Sequence, residues 1–198
     1  MKKFELTTKS ITNEAGKKLF RIKALIDFGD VKAGELGGYV EKEGNVSQDD
    51  NAWVSGDAEV FGNAKVSGNA KVSGNAKVFG NAKVFGNARV SGDALISGNA
   101  WVSGDALISG NAWVSGDARV YDNADYALVQ GFGIKFRCTT FYRGKNEKIM
   151  VNCGCFHGDL EEFRKQVKET RSGKIAKEYL MIADLMEYHF VSEDSGDE

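Results

Sequence analysis

The stretch Val66-Ser-Gly-Asn-Ala-Lys71 is followed by Val72-Ser-Gly-Asn-Ala-Lys77, Val78-Phe-Gly-Asn-Ala-Lys83, Val84-Phe-Gly-Asn-Ala-Arg89 and Val90-Ser-Gly-Asp-Ala-Leu95. The same six-residue unit extends both ways: glycine recurs eleven times from Gly56 to Gly116, always followed by Asn or Asp and then Ala. Val or Ile holds every sixth position from Val54 to Val120. Six residues advance an α-helix by about 600°, so successive valines would wander around it. A short strand closed by a turn uses the period naturally. Within Ala-x-Val-Ser/Phe, Ala and Val point inward while x and Ser/Phe point outward. Gly-Asn/Asp makes the corner, because both tolerate turn conformations. Three units closing a triangular coil give a period of 18 residues and a left-handed parallel β-helix. About thirteen strands, Ala52–Ser55 through Ala124–Ala127, make a little over four coils and a prism roughly 20 Å tall at ~4.8 Å per coil.

Working outward, the expected fold is mainly β, with an N-terminal β-hairpin cap (1–35), the β-helix (36–127) and a small C-terminal α+β domain (128–198). Capping is expected because the ends of a stacked solenoid expose unpaired strand edges. FELTTKSIT and KLFRIKALIDF flank the turn Asn13-Glu14-Ala15-Gly16 as the first hairpin. IKFRCTTFY and EKIMVNCGCF flank Arg143-Gly144-Lys145-Asn146 as a second. Asp159-Leu-Glu-Glu162 reads as a capping box opening a helix to about Arg171. A second helix over 174–190 follows Ser172-Gly173, with Ile175, Tyr179, Ile182, Met186 and Phe190 at helical spacing. The acidic tail 192–198 is expected to be disordered.

The composition agrees with this plan. The chain has 198 residues, 24 glycines and no proline, and a proline would leave a ladder hydrogen bond unmade. Its net charge of −2 offers no global basic excess for nucleic acid or an anionic membrane. No apolar run approaches the ~20 residues of a spanning helix, and Met1–Glu14 has no apolar signal core. Three cysteines fit a reducing cytoplasm better than a disulfide scaffold.

Ala24-Leu-Ile-Asp-Phe-Gly-Asp-Val-Lys-Ala-Gly-Glu-Leu-Gly-Gly-Tyr-Val-Glu41, leading into Gly44-Asn-Val-Ser47 and Asn51-Ala-Trp-Val54, resembles the YdcK-like and phage or prophage hexapeptide-repeat proteins. Gly154-Cys-Phe-His-Gly-Asp-Leu-Glu-Glu-Phe163 and Tyr179-Leu-Met-Ile-Ala-Asp-Leu185 resemble the end domain of the phage members. The resemblance implies a β-helix and a mobile-element origin, and with it the cytoplasm of a bacterial host. It brings no catalytic residue set.

The chemistry is therefore weighed residue by residue. Hexapeptide acyltransferases place a histidine base at a coil interface, but His157 and His189 both lie outside the repeat, and a base must reach its proton. Cys153, Cys155 and His157 alternate, so a single strand would put them on one face, with Cys138 joining them if the hairpin pairs about Gly144-Lys145. That arrangement would make a zinc site, whereas the favoured reading is ordinary core beneath the helices; a one-residue register change destroys the constellation. Asp27-Phe28-Gly29 and the sequon Asn45-Val46-Ser47 lack the context their motifs need. No catalytic or metal-binding residue is assigned, and no cofactor is expected.

The outward position after each Ala reads Glu59, Lys65, Lys71, Lys77, Lys83, Arg89, Leu95, Trp101, Leu107, Trp113, Arg119. A basic belt gives way to an apolar one. Stacking by 18 places Trp101 between Lys83 and Arg119 as a cation–π column, Leu95 beneath Trp113 and Phe61 beneath Phe79. A solvated β face has no need of two tryptophans and two leucines in succession. Leu95, Trp101, Leu107, Trp113, Lys83 and Arg119 are thus the candidate partner-binding residues. The functional expectation is a non-enzymatic interaction scaffold whose partner is a host protein, such as one of a defence system, or a second copy in a homo-oligomer. An acyltransferase and a self-assembling structural protein are the alternatives. Terminal segments folding back over the belt would instead make it structural.

Overall fold

The computed structural model describes residues 2–190, so the acidic tail 192–198 lies outside the described residues. The chain divides into two compact units, 1–123 and 124–198.

The first unit opens with the antiparallel hairpin β1 (Phe4–Thr12) and β2 (Lys18–Ala24), followed by β3 (Leu36–Val40). Two-residue strands then recur every six residues: β4 (Trp53–Val54), β5 (Glu59–Val60), β6 (Lys65–Val66), β7 (Lys71–Val72), β8 (Lys77–Val78) and β9 (Lys83–Val84). The series continues with β10 (Arg89–Val90), β11 (Leu95–Ile96), β12 (Trp101–Val102), β13 (Leu107–Ile108), β14 (Trp113–Val114) and β15 (Arg119–Val120). They form a β-solenoid of three parallel faces. Face one runs β3-β5-β8-β11-β14, face two β6-β9-β12-β15 and face three β4-β7-β10-β13. In-register partners such as Val60↔Val78 and Val84↔Val102 are 18 residues apart.

Inside, the alanines and aliphatics from Ala52 to Val120 are 0–1 % exposed. Small Ala beside each corner and Val or Ile along each face fill a narrow interior without polar atoms. At the corners the chain turns through positive φ. A Cβ on Gly92 (φ 69°) would lie 2.8 Å from the backbone nitrogen of Gly110 in the next turn, so the corner demands glycine twice over.

The solenoid has about five turns, starting earlier and stopping sooner than the repeat suggests. Val40 pairs with Val60 and Val46 bridges to Val66, so the first turn advances 20 residues. The extra two sit between Val46 and Val54, eight residues apart where six is the rule, and they hide this turn from the period. After Val120 the corner glycine is replaced by Asp122. A 3₁₀ turn, Asn123–Asp125, then replaces the expected last strand.

The N-terminal segment closes the edge. β2 pairs antiparallel with β3, whose other side pairs with β5, so the hairpin extends face one. It also covers outward positions. Leu19 and Tyr39 pack with Phe61, which stacks on Phe79 at 5.1 Å. Phe4 and Phe28 pack edgewise on Trp53, leaving it 4 % exposed. Asn13 donates to the Glu59 carboxylate at 3.1 Å.

The second unit is a four-stranded antiparallel sheet of β16 (Tyr126–Phe132), β17 (Arg137–Arg143), β18 (Ile149–Cys153) and β19 (Phe156–Asp159), in that order. Helices α1 (Leu160–Thr170) and α2 (Gly173–Phe190) follow. The capping box is present: Glu162 donates its N–H to the Asp159 carboxylate at 3.0 Å and accepts the Asp159 N–H at 2.8 Å. Ile182, Met186 and Phe190 are buried as their spacing predicts, with Phe141, Val151, Phe163 and Val167. Arg164 of α1 ties the helices together through Asp184 and Glu187 of α2 at 2.8 and 2.7 Å, and pairs with Glu161 on its own helix at 2.7 Å.

Two outcomes check this architecture. Val84→Asp places an unpaired carboxylate in the solenoid interior and costs roughly 3 kcal/mol or more, whereas Lys65→Ser on the outer surface stays within about 0.5 kcal/mol in denaturant titration. Asn45 is fully buried and donates its side-chain amide to the carbonyls of Gly62 and Ala64 at 3.2 and 2.9 Å. Isosteric Asn45→Asp turns that donor into an acceptor against two carbonyls and should destabilise more than Asn45→Ala, which costs about 1–3 kcal/mol. Equal losses would mean that the donor is not what this site requires.

Candidate interaction surface

The six outward residues singled out in the repeat occupy three faces. Leu95 and Trp113 are neighbours on face one. Trp101 lies on face two between Lys83 and Arg119. Leu107 is on face three, in register with Arg89. The apolar belt is a ring around the solenoid, so a flat partner meets part of it at a time. Leu107 and Trp113 are 46 % and 37 % exposed, while Leu95 and Trp101 are half-buried by their neighbours.

Face two forms a continuous column. The Lys83 ammonium lies 4.8 Å from the Trp101 ring centroid and the Arg119 guanidinium 4.6 Å from it. Phe85 meets the same indole edge-on at 6.0 Å. Parallel pairing sets this geometry: residues 18 apart sit one strand spacing apart, about 4.8 Å, which is also a favourable distance for a cation above a ring. The Arg119 guanidinium also donates to the Ala118 and Asn99 carbonyls at 2.8 and 3.2 Å, which fixes it against the sheet. Trp101 is therefore held from both sides.

The charges of the three faces differ because the N-terminal segment reaches only some of them. On face one, Lys77 pairs with Glu14 at 3.1 Å. On face three, Lys71 pairs with Asp30, and Arg89 lies within electrostatic reach of the same carboxylate. The hydrogen bond from Lys71 holds Asp30 below the usual carboxylate range. On face two, Lys65, Lys83 and Arg119 have no carboxylate within ion-pair distance among the described residues. Face two keeps its positive charge.

The cysteine–histidine constellation does not form. β18 ends at Cys153, the chain turns at Gly154 (φ 63°), and β19 begins at Phe156, so Cys153 and Cys155 flank a turn. His157 is paired with Asn152, its Nδ1 2.6 Å from Asn152 Oδ1. Thr139 is directly opposite Cys153 and donates its hydroxyl to Sγ at 3.1 Å. Cys138, one residue away on the strand, therefore faces the other side of the sheet. Burial pushes the Cys138 thiol up. Among the described residues, no three His, Cys, Asp or Glu side chains are grouped to hold a metal ion. His189 is exposed on α2, and no helix among the described residues is long and apolar enough to cross a membrane.

Sequence comparison agrees with the solenoid. The family model described as the YdcK β-solenoid repeat matches residues 82–98, 88–104 and 100–116. The matched stretch carries Lys83, Leu95, Trp101, Leu107 and Trp113, so the chain is similar to that family over its central turns. No curated protein matches the chain.

The column has a measurable signature. A double-mutant cycle between Trp101→Leu and Arg119→Gln should give a coupling of about 0.5–1 kcal/mol in denaturant titration, the size of an exposed cation–π contact. Additive losses would mean that Arg119 is held by its backbone carbonyl contacts alone.

Proposed function

We propose that the protein is a non-enzymatic interaction scaffold, and that face two of its solenoid is the docking surface for a protein partner with an acidic patch. The observation that carries this reading is Trp101 fixed between Lys83 and Arg119 on the face whose cations lack carboxylate partners among the described residues. A pre-ordered tryptophan flanked by cations has little side-chain freedom left to lose on association. Trp and Arg are also the residue types that dominate binding energy at interfaces. The resemblance to phage-borne solenoids makes a bacterial host protein, such as a defence component, the first partner to seek. Trp113 above Leu95 on face one suits a second, more apolar contact, which a further copy of the chain could use.

The test pairs capture with oligomeric state. Tagged protein is used to capture partners from bacterial lysate, and its own association is followed by light scattering. The Trp101→Ser/Arg119→Glu variant should lose the captured partner, at a cost of about 2 kcal/mol or more in binding, with unchanged circular dichroism. Trp113→Ser should leave that partner bound and alter only self-association. Undiminished capture by the face-two variant would move the interface elsewhere.

A further inference from the structure

The second unit contains a cleft that the solenoid reading does not use. It has a volume of about 260 Å³ and opens between the β16–β17 turn, the β18–β19 turn and the two helices. Its floor is aromatic: Phe163 meets Phe156 at 5.4 Å and Tyr179 edge-on at 5.9 Å. Three cations line it, Lys135 from the β16–β17 turn, Arg137 from the start of β17 and Arg171 from the segment between the helices. No Asp or Glu lines it among the described residues, and none is in an ion pair with these three. Five other cations of the unit, Arg143, Lys148, Arg164, Lys165 and Lys174, do have carboxylate partners. Lys145, Lys168 and Lys177 of the unit are likewise in no ion pair among the described residues, but it is Lys135, Arg137 and Arg171 that gather around a hollow. Arg171 and Arg137 both act to favour the ionised form of Tyr179, although burial outweighs them and raises its pKa.

The rim carries a second anomaly. The β16–β17 turn exposes Ile134 and Phe136, 71 % and 68 % accessible, on either side of Lys135. Phe136 adopts φ 48°, a left-handed conformation that is costly for a bulky L-residue and that collects at ligand-holding segments. An apolar, strained turn borders a cationic hollow lined by three aromatic rings set at angles to one another.

We propose that this cleft binds a small anionic ligand with a flat apolar body, an aryl carboxylate or aryl phosphate. The Arg137 and Arg171 guanidiniums suit an oxyanion geometrically, since each presents a planar fork of donors. The floor of Phe156, Phe163 and Tyr179 suits a ring system, stacked or edge-on. The volume lies just below the usual range for ligand clefts, about 300–1,000 Å³, which limits the body to one or two rings.

Titration calorimetry with 2-naphthoate, 2-naphthyl phosphate and neutral 2-naphthamide tests this on the full chain. At least one anion should bind saturably at one site, at least tenfold tighter than the amide, and the tighter of the two assigns the head group. Arg137→Gln and Arg171→Gln should each weaken that binding tenfold or more at an unchanged melting temperature. Lys135→Gln, on an exposed turn, gives a second variant if either arginine change perturbs folding. Bound ligand should also slow alkylation of Cys155, an exposed thiol of the cleft wall, by iodoacetamide. Absence of saturable binding of both anions below millimolar concentration, equal affinity for the amide, or indifference to all three substitutions would each overturn the proposal.

Discussion

Every turn of the solenoid donates its backbone N–H groups to the carbonyls of the next turn: Glu59 N–H to Ala76, Phe61 to Val78, Asp57 to Gly74, at 2.9–3.0 Å. The ladder thus has a direction, and its two ends have opposite needs. At the N-terminal end carbonyls are left without a donor, and side-chain donors meet them. The Lys3 ammonium, 2 % exposed as a residue, reaches the Asp50 and Ala52 carbonyls at 2.8 and 2.9 Å. The buried Asn45 amide does the same for Gly62 and Ala64. Burial lowers the pKa of Lys3, with Asp50 acting against that shift. At the other end an N–H needs an acceptor, and Asn123 Oδ1 accepts from Leu107 at 2.8 Å. A buried lysine is costly alone, but here the alternative is two buried carbonyls with no partner.

The corner residues repeat the same polarity in their side chains. Asn51 donates to Asn69, Asn69 to Asn87 and Asn87 to Asp105, each at 3.0 Å. A second ladder runs Asn63, Asn81, Asn99, Asp117. Asn can accept from below and donate above, whereas a carboxylate can only accept. Both ladders therefore end on Asp at the C-terminal side. At the third corner Asn75 donates to Asp93, and Asp93 has no proton to pass on. The choice between Asn and Asp, which looks arbitrary along the chain, follows ladder position at two corners of three.

Much of this was legible because it is periodic. A six-residue repeat fixes which side chains point inward, and stacking by 18 fixes the Lys83–Trp101–Arg119 and Phe61–Phe79 columns. What escaped is what breaks the period or depends on distant chain. The 20-residue first turn puts Val40 and Val46 out of phase with the repeat, so a strand count by period starts at Ala52 although the β-helix is bounded at 36. The buried role of Lys3 depends on carbonyls nearly fifty positions away. Cys138 was misplaced because face assignment depends on the parity of the register, and the hairpin pairs Thr139 with Cys153. The ring of Leu95, Trp101, Leu107 and Trp113 needed only the stacking rule applied again, since six residues always carry the chain to the next face.

That rule also explains how a uniform prism acquires distinct faces. The interior constrains Ala and Val at every unit, while the outward position stacks on its neighbours above and below outside that packing. Substitution there changes the surface without repacking the core, so the turns act as a lattice of display sites at a fixed spacing of about 4.8 Å. The N-terminal segment then selects among the faces. Glu14 and Asp30 neutralise cations on faces one and three, and the hairpin buries Glu59 and Phe61 on face one. Face two is left with three cations, two of which hold one indole between them. Its character comes as much from where the N-terminal segment does not reach as from its own sequence.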